Sequence, residues 1–412
     1  MLSACSSLKN RKIEKDISEK LVLSGFDDHF TGLFIYAPES RETLFSLNKD
    51  KHFTPASNTK IFTLYTALKI LGDSIPSLRY KISNDTVYFQ GTGHPGSLHP
   101  QLNDSSIVNF LQNFENLIYI PATFSEGRFG PGWAWEDYDS GFSPERSSFP
   151  LYGNVLTIYG GEDLTVIPEY FRDSISEAEL SGKRLEHKNI FYVAVRDRDS
   201  LKIPFKSGDK LTVALLERAI GKPILQKEVF PEGESQLLYG ETHSDSLYKL
   251  LMEDSDNFVA EQLLLASSAA LTDTISSSLV REFILETYLA DIKDHPRWVD
   301  GSGLSRYNLF TPASMVFVLE KLYTEFGKER ILTIFPEGGK EGTLKDWYGS
   351  PGKPYLYAKS GTLGNNYCLS GYLMTKSGKF LLFSFMNNHF MESSSQIKPK
   401  IEKLLEVIRD SY

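Results

Sequence analysis

The stretch Phe53-Thr54-Pro55-Ala56-Ser57-Asn58-Thr59-Lys60 precedes an apolar run of Ile61, Phe62, Leu64, Tyr65, Ala67, Leu68, Ile70 and Leu71. The run has helical spacing and stops at Gly72, a C-terminal signal. Ser57 therefore stands at the start of a buried helix. Residues three apart share a helix face, so Lys60 points back at Ser57. A serine hydroxyl attacks well only when a base takes its proton. Lysine serves as that base once desolvation or a nearby cation lowers its pKa. The first helical turn adds backbone N–H groups beside the serine, suited to a developing oxyanion. Taken alone, Ser-x-x-Lys also describes an N-cap serine beside a solvated lysine, and the rest of the chain has to decide between the two.

The 412 residues carry 41% hydrophobic and 24% charged side chains, an ordinary soluble composition with length for two or three domains. A net charge of −9 argues against a general nucleic-acid binder. No run of 18 apolar residues is present, so no transmembrane helix is expected. Two cysteines, Cys5 and Cys368, and eight scattered histidines offer no metal-ligand spacing. His94, His187 and His295 read as unpaired surface or core histidines. Met1-Leu2-Ser3-Ala4-Cys5 resembles a bacterial lipobox, in which the cysteine carries lipid. The apolar segment that should precede it is missing, as a late start, or a sequence given from partway along, would explain.

Residues 6–12 read as a polar tether, and Ile13 to Leu23 as a helix. Phe30 to Tyr36 and Glu42 to Leu47 read as strands. Short strand-like runs then follow at 80–82, 86–89, 117–120, 155–159, 190–195 and 211–215, with one helix near 105–114. Helical spacing returns over 247–270 and again from Pro312 to Leu322. Strands at 368–374 and 380–386 flank the turn Ser377-Gly378, and a helix from about 394 to 408 closes the chain.

Three short motifs stand in one order: Ser57-x-x-Lys60, Ser255-Asp256-Asn257 and Lys359-Ser360-Gly361. This set resembles that of class A β-lactamases and penicillin-binding proteins. Acyl transfer from a peptide needs a nucleophile, a proton path to the leaving amine and an oxyanion site. Ser57 and Lys60 supply the nucleophile and base. Ser255 can relay a proton, and Asn257 can orient Lys60 or the substrate amide. Lys359 adds positive charge that lowers neighbouring pKa values and attracts a carboxylate, which Ser360 can hydrogen-bond. The N–H groups of Ser57 and Thr362 would form the oxyanion hole.

Longer strings narrow the resemblance: Pro-Ala-Ser-Asn-Thr-Lys, Ser-Asp-Asn-x-x-Ala-Glu-Gln-Leu, Asp300-Gly-Ser-Gly-Leu-Ser-Arg-Tyr-Asn308, Glu341-Gly-Thr-Leu344 and the turn Gly130-Pro-Gly-Trp-Ala-Trp-Glu-Asp137. Together they are similar to class C low-molecular-mass penicillin-binding proteins of type 4, the D-alanyl-D-alanine carboxypeptidases and endopeptidases of peptidase family S13. The resemblance covers about residues 30 to 390 and implies an α/β (α+β) fold. Its core is a β-lactamase/transpeptidase-like domain, an antiparallel sheet flanked by helices. A mostly β insert would separate the first two motifs, which lie 198 residues apart. The expected division is 1–20 lipobox and tether, 21–77 and 240–412 penicillin-binding domain, and 78–239 insert, with 130–145 returning to the active-site rim.

The resemblance also implies substrate contacts at Ser360, Gly361, Thr362, Asp137, Phe142 and Arg306, with Asp137 matching an aspartate that reads diaminopimelate. Ser360 replaces the usual threonine, and Gly364 stands where some members have glutamine. Tyr152-Gly153-Asn154 imitates a class C β-lactamase motif and reads instead as the start of an insert strand. Trp133 and Trp135 read as core. The expectation is a periplasmic serine carboxypeptidase/endopeptidase acting on peptidoglycan stem peptides and cross-links. It would work through a Ser57 acyl-enzyme, be acylated by β-lactams, use no metal or cofactor, and be held at a membrane by lipid on Cys5. The alternatives are a β-lactamase or related esterase, and a catalytically silent peptidoglycan-binding module.

Overall fold

The strands Leu356–Leu363, Asn366–Met374, Phe380–Asn388, Phe30–Ala37 and Glu42–Leu47 lie side by side in that order as one antiparallel sheet. The computed structural model describes residues 2–412 apart from 103, 161–163, 179–181 and 195–199; of residues 2–12 it describes the backbone alone. Met1, the Cys5 side chain and the Val195 end of an expected strand thus lie outside the described residues. The chain divides into two units, one of Met1–Tyr65, Lys249–Ser255 and Leu285–Tyr412, the other of Thr66–Tyr248 and Asp256–Ile284. Residues 66–77, 240–248 and 256–284, expected with the sheet domain, cluster instead with the second unit.

In the first unit, side chains alternate across the sheet. Leu33, Ile35, Leu369, Leu381, Phe383 and Phe385 face one core, shared with Ile13, Ile17 and Leu21 of helix Leu2–Leu23 and with Ile397, Ile401, Leu404 and Ile408 of helix Ser394–Ser411. Each fully buried aliphatic side chain there contributes about 1.5–3 kcal/mol. On the other face the Tyr372 hydroxyl donates to the Leu319 carbonyl, at 2.9 Å, of helix Pro312–Phe326. Strands covered on both faces read as largely apolar runs, as Phe380–Asn388 does up to Met386 with Ser384 as its one polar residue. The first helix extends back to Leu2 through the residues expected as a tether. Leu8-Lys-Asn-Arg-Lys-Ile-Glu-Lys15 holds no glycine or proline and consists mainly of good helix formers.

The second unit centres on a mixed five-stranded sheet, ordered Ile224–Gln226, Asn116–Tyr119, Thr86–Gly91, Pro76–Ser83, Gln236–Tyr239. The run expected as a strand at 211–215 is helix Asp209–Ile220, ended by Gly221 at φ +78°. Its buried Thr212, Val213, Leu215, Leu216 and Ile220 follow the helical period, which the five-residue window Leu211, Val213, Leu215 hides as alternation. The expected helix over 247–270 is two helices, Ser244–Met252 and Asn257–Leu271, and helices Ser277–Thr287 and Lys328–Ile334 add to the expected set. His94 is not unpaired: it is buried against Asp104, and desolvation pushes its pKa down to about 4. Trp135 is 75% exposed and so is not core.

Candidate active site

Ser57 sits in a 3-10 turn, Ala56–Thr59, that runs straight into helix Lys60–Ile70. Ala56 has φ +49°, a left-handed kink immediately before the serine. Hydrogen bonds hold this shape: Thr59 Oγ1 donates to Ala56 O at 2.9 Å, and Asn58 N donates to Pro55 O at 3.2 Å. The turn is also tied to the sheet. The Asn388 amide brackets Thr54, accepting from its N–H at 2.7 Å and donating to its carbonyl at 3.1 Å. Asn58 Nδ2 donates to Ser370 Oγ at 2.8 Å, and Ser370 Oγ donates to Ser384 Oγ at 2.8 Å. Two glycines allow the close approach. A Cβ on Gly361 would lie 2.6 Å from Pro55 O, and one on Gly303 (φ +86°) 2.0 Å from Ala56 O.

Lys60 is fully buried. Its Nζ donates to Ser57 Oγ at 3.1 Å and to the Ser302 carbonyl at 2.6 Å. The Ser302 carbonyl belongs to a loop wound around the buried Asp300 carboxylate. Oδ1 accepts from Gly303 N at 2.9 Å and Asn308 Nδ2 at 2.6 Å, and Oδ2 accepts from Ser305 N at 2.7 Å. Asn308 Oδ1 closes the loop by accepting from Val299 N at 2.7 Å. One carboxylate thereby aims a carbonyl at the lysine and sets Gly303 against the nucleophile turn.

Ser255, at φ +57°, lies in the break after helix Ser244–Met252. Its Oγ accepts from Lys359 Nζ at 2.9 Å, and Lys359 Nζ also donates to Ser360 O at 2.8 Å. Burial, reinforced by the charge of Lys60, holds the Lys359 pKa well below the usual lysine range. Two ammonium groups desolvated together favour a site with one positive charge rather than two. Lys359 is on the sheet's edge strand. Ala358 N donates outward to Pro336 O at 3.2 Å, away from strand Asn366–Met374. N–H groups alternate between strand edges, so the Thr362 N–H, four residues on, faces the same outer edge. Ser360 Oγ donates to Thr343 Oγ1 at 2.7 Å.

The first unit therefore brings Ser57, Lys60, Ser255, Lys359, Ser360, Gly361 and Thr362 together. Arg306, in the same unit, donates from Nη1 to Gly364 O at 3.3 Å. Asn257 and Phe142 belong to the second unit, where Asn257 Nδ2 donates to the Phe142 carbonyl at 2.9 Å, and the Phe142 ring is 51% exposed. Asp137 ends a short turn, Trp135–Asp137, in that unit and is half-buried. Tyr152-Gly153-Asn154 forms a turn leading into strand Val155–Tyr159, with Asn154 Nδ2 donating to Glu145 O at 2.8 Å. Sequence reasoning gave no chemical part to Asp300, Ser302, Gly303 or Thr343. The small-residue string after Asp300 was the available signal, since only such residues let a loop fold round one carboxylate.

The sequence pattern of the D-Ala-D-Ala carboxypeptidase 3 (S13) family matches residues 13–159 and 218–409. The D-alanyl-D-alanine carboxypeptidase DacB of Haemophilus influenzae is 29% identical over 411 residues, 87% of this chain and 85% of that protein. A penicillin-sensitive carboxypeptidase A of Dictyostelium discoideum is 25% identical over 446 residues, 90% of this chain and 85% of that protein. Among solved structures, penicillin binding protein 4 (dacB) of Haemophilus influenzae superposes with a TM-score of 0.72 at 21% identity, covering 96% of this chain and 98% of that one. That likeness shows the fold, a helix-flanked sheet of the penicillin-binding kind. With the family pattern spanning most of its length, the chain belongs to the D-Ala-D-Ala carboxypeptidase 3 (S13) family.

Proposed function

We propose that this serine DD-peptidase cleaves D-alanyl bonds of peptidoglycan stem peptides and cross-links through an acyl-enzyme on Ser57. The observation that carries the reading is the buried Lys60 Nζ at 3.1 Å from Ser57 Oγ. Ser57 Oγ attacks the carbonyl of the penultimate D-alanine while Lys60 Nζ takes its proton. Negative charge on the carbonyl oxygen is met by the N–H groups of Ser57 and Thr362. The Ser255 hydroxyl, held by Lys359 Nζ at 2.9 Å, takes that proton from Lys60 as it gives its own to the leaving amine, which leaves Lys60 neutral again. Water then attacks the ester carbonyl as Lys60 takes its proton, and Lys60 returns that proton to Ser57 Oγ as the acyl group leaves. Lys359 attracts the substrate's terminal carboxylate, and Ser360 and Gly361 line its place.

Asn257, two residues past Ser255 in the chain, would steady the lysine or the substrate amide. Asp137, Phe142 and Arg306 would read the stem-peptide side chain. These four assignments rest on the resemblance in motif order. β-Lactams would acylate Ser57 in place of substrate. One DacB structure from Haemophilus influenzae is complexed with a β-lactam, and a predatory endopeptidase of Bdellovibrio bacteriovorus is penicillin G acylated. The Leu2-Ser3-Ala4-Cys5 string supports lipid attachment at Cys5 and a periplasmic location. Residues 78–239, between the first two motifs, are read as the family's insert.

Release of D-alanine from a synthetic pentapeptide ending in D-Ala-D-Ala tests the reading. The wild type is expected to release it, and Ser57→Ala to be inert while retaining the wild-type thermal midpoint. Equal release by both proteins would remove Ser57 from the chemistry.

A further inference from the structure

We propose that Thr343 is a positioning residue for carboxylate recognition: its hydroxyl orients the Ser360 hydroxyl, which lacks the methyl group that would otherwise limit its rotamers. The inference rests on Ser360 contacting the substrate carboxylate, as read above. Ser360 Oγ lies 2.7 Å from Thr343 Oγ1, a short bond between two hydroxyls. A β-branched residue at 360 would be confined at χ1 by its γ-methyl, whereas serine is not. An unconstrained hydroxyl loses rotamer freedom when it binds a ligand, and a fixed neighbour removes part of that loss beforehand.

Thr343 is itself fixed. Its N–H donates to the Glu253 carbonyl at 3.1 Å. Gly342 before it has φ +56°, and a Cβ there would lie 2.3 Å from that same carbonyl. Leu344 after it is fully buried in the sheet core. Glu253 stands two residues before Ser255, so one backbone carbonyl anchors Thr343 beside the second motif. In the ligand-free site Ser360 donates to Thr343. When a carboxylate arrives, the pair reverses: Thr343 donates to Ser360 Oγ, and Ser360 donates to the carboxylate. No proton is gained or lost, and the two bonds polarise one another.

The test compares acylation rate constants for benzylpenicillin and for its methyl ester, which lacks the carboxylate charge. Thr343→Val is expected to slow benzylpenicillin about 3- to 10-fold, as loss of one neutral hydrogen bond does, and to leave the ester unchanged. Thr343→Ser is expected to restore the wild-type rate. Thr343→Ala, read the same way, serves should the valine variant not fold. Equal slowing of both compounds, or slowing of neither, overturns the proposal. Ser360→Ala separates the two levels of inference. If it discriminates between acid and ester while the Thr343 variants do not, the positioning role alone fails. If it does not discriminate, the assignment of Ser360 to the carboxylate fails with it.

Discussion

Replacement of Lys60 by methionine is expected to slow acylation of Ser57 by about 10²–10⁴-fold, the usual contribution of a placed general base. Methionine keeps the length and apolar character of the stem, which is fully buried, and removes only the amine. Ser57 Oγ loses the group 3.1 Å away that can take its proton. The Ser302 carbonyl loses its donor at 2.6 Å, a change worth about 1–3 kcal/mol of stability for a buried acceptor left unpaired. That loss is a fraction of the roughly 5–15 kcal/mol by which folded proteins are stable, so the variant should remain folded. Lys359 also loses the neighbouring charge that helps depress its pKa, so its pKa should move back up. Pre-steady-state labelling with a fluorescent penicillin measures the effect. A folded Lys60→Met protein that acylates within tenfold of wild type would mean that another group takes the serine proton.

Substituting Asp300 with alanine is expected to damage stability and activity together. Gly303 N, Ser305 N and Asn308 Nδ2 each donate to this buried carboxylate at 2.6–2.9 Å. Removing the acceptor strands all three, at an expected cost of about 3–5 kcal/mol. Thermal unfolding should register this as a midpoint lowered on the order of 10 °C. The loop also aims the Ser302 carbonyl at Lys60 and packs Gly303 against Ala56 O. Its loosening should therefore slow acylation even at temperatures where the variant is folded. Asp300→Asn, with one carbonyl oxygen still able to accept, should fall between the two. A normal acylation rate in Asp300→Ala would show that the loop braces the fold without organising the lysine.

The contrast between these two residues explains what the sequence could disclose. Ser57 and Lys60 are three positions apart in one helical start, so local spacing was enough to pair them. Lys359 and Ser255 are 104 residues apart, and only the motif order, not periodicity, put them in one site. Thr343 and Ser360 meet through a turn clamped on a backbone carbonyl, and no side-chain pattern announces such a contact. Asp300 acts on the backbone N–H groups of Gly303 and Ser305 as well as on Asn308 Nδ2, and since every residue has a backbone N–H, only the small residues that follow Asp300 hint at the loop. The helix Asp209–Ile220 was misread because its buried face overlaps an alternating window. The single helix expected over 247–270 breaks at Ser255, where a left-handed φ and the Asp256 N-cap, accepting from Val259 N at 2.8 Å, start a new one.

Intact-protein mass spectrometry after exposure to benzylpenicillin tests the Ser57 acyl-enzyme most directly, with Ser57→Ala alongside. One penicilloyl adduct, mapped to the peptide containing Ser57 and missing from the variant, is the predicted result. A folded wild type that forms no adduct, or an adduct of equal yield in Ser57→Ala, would contradict it.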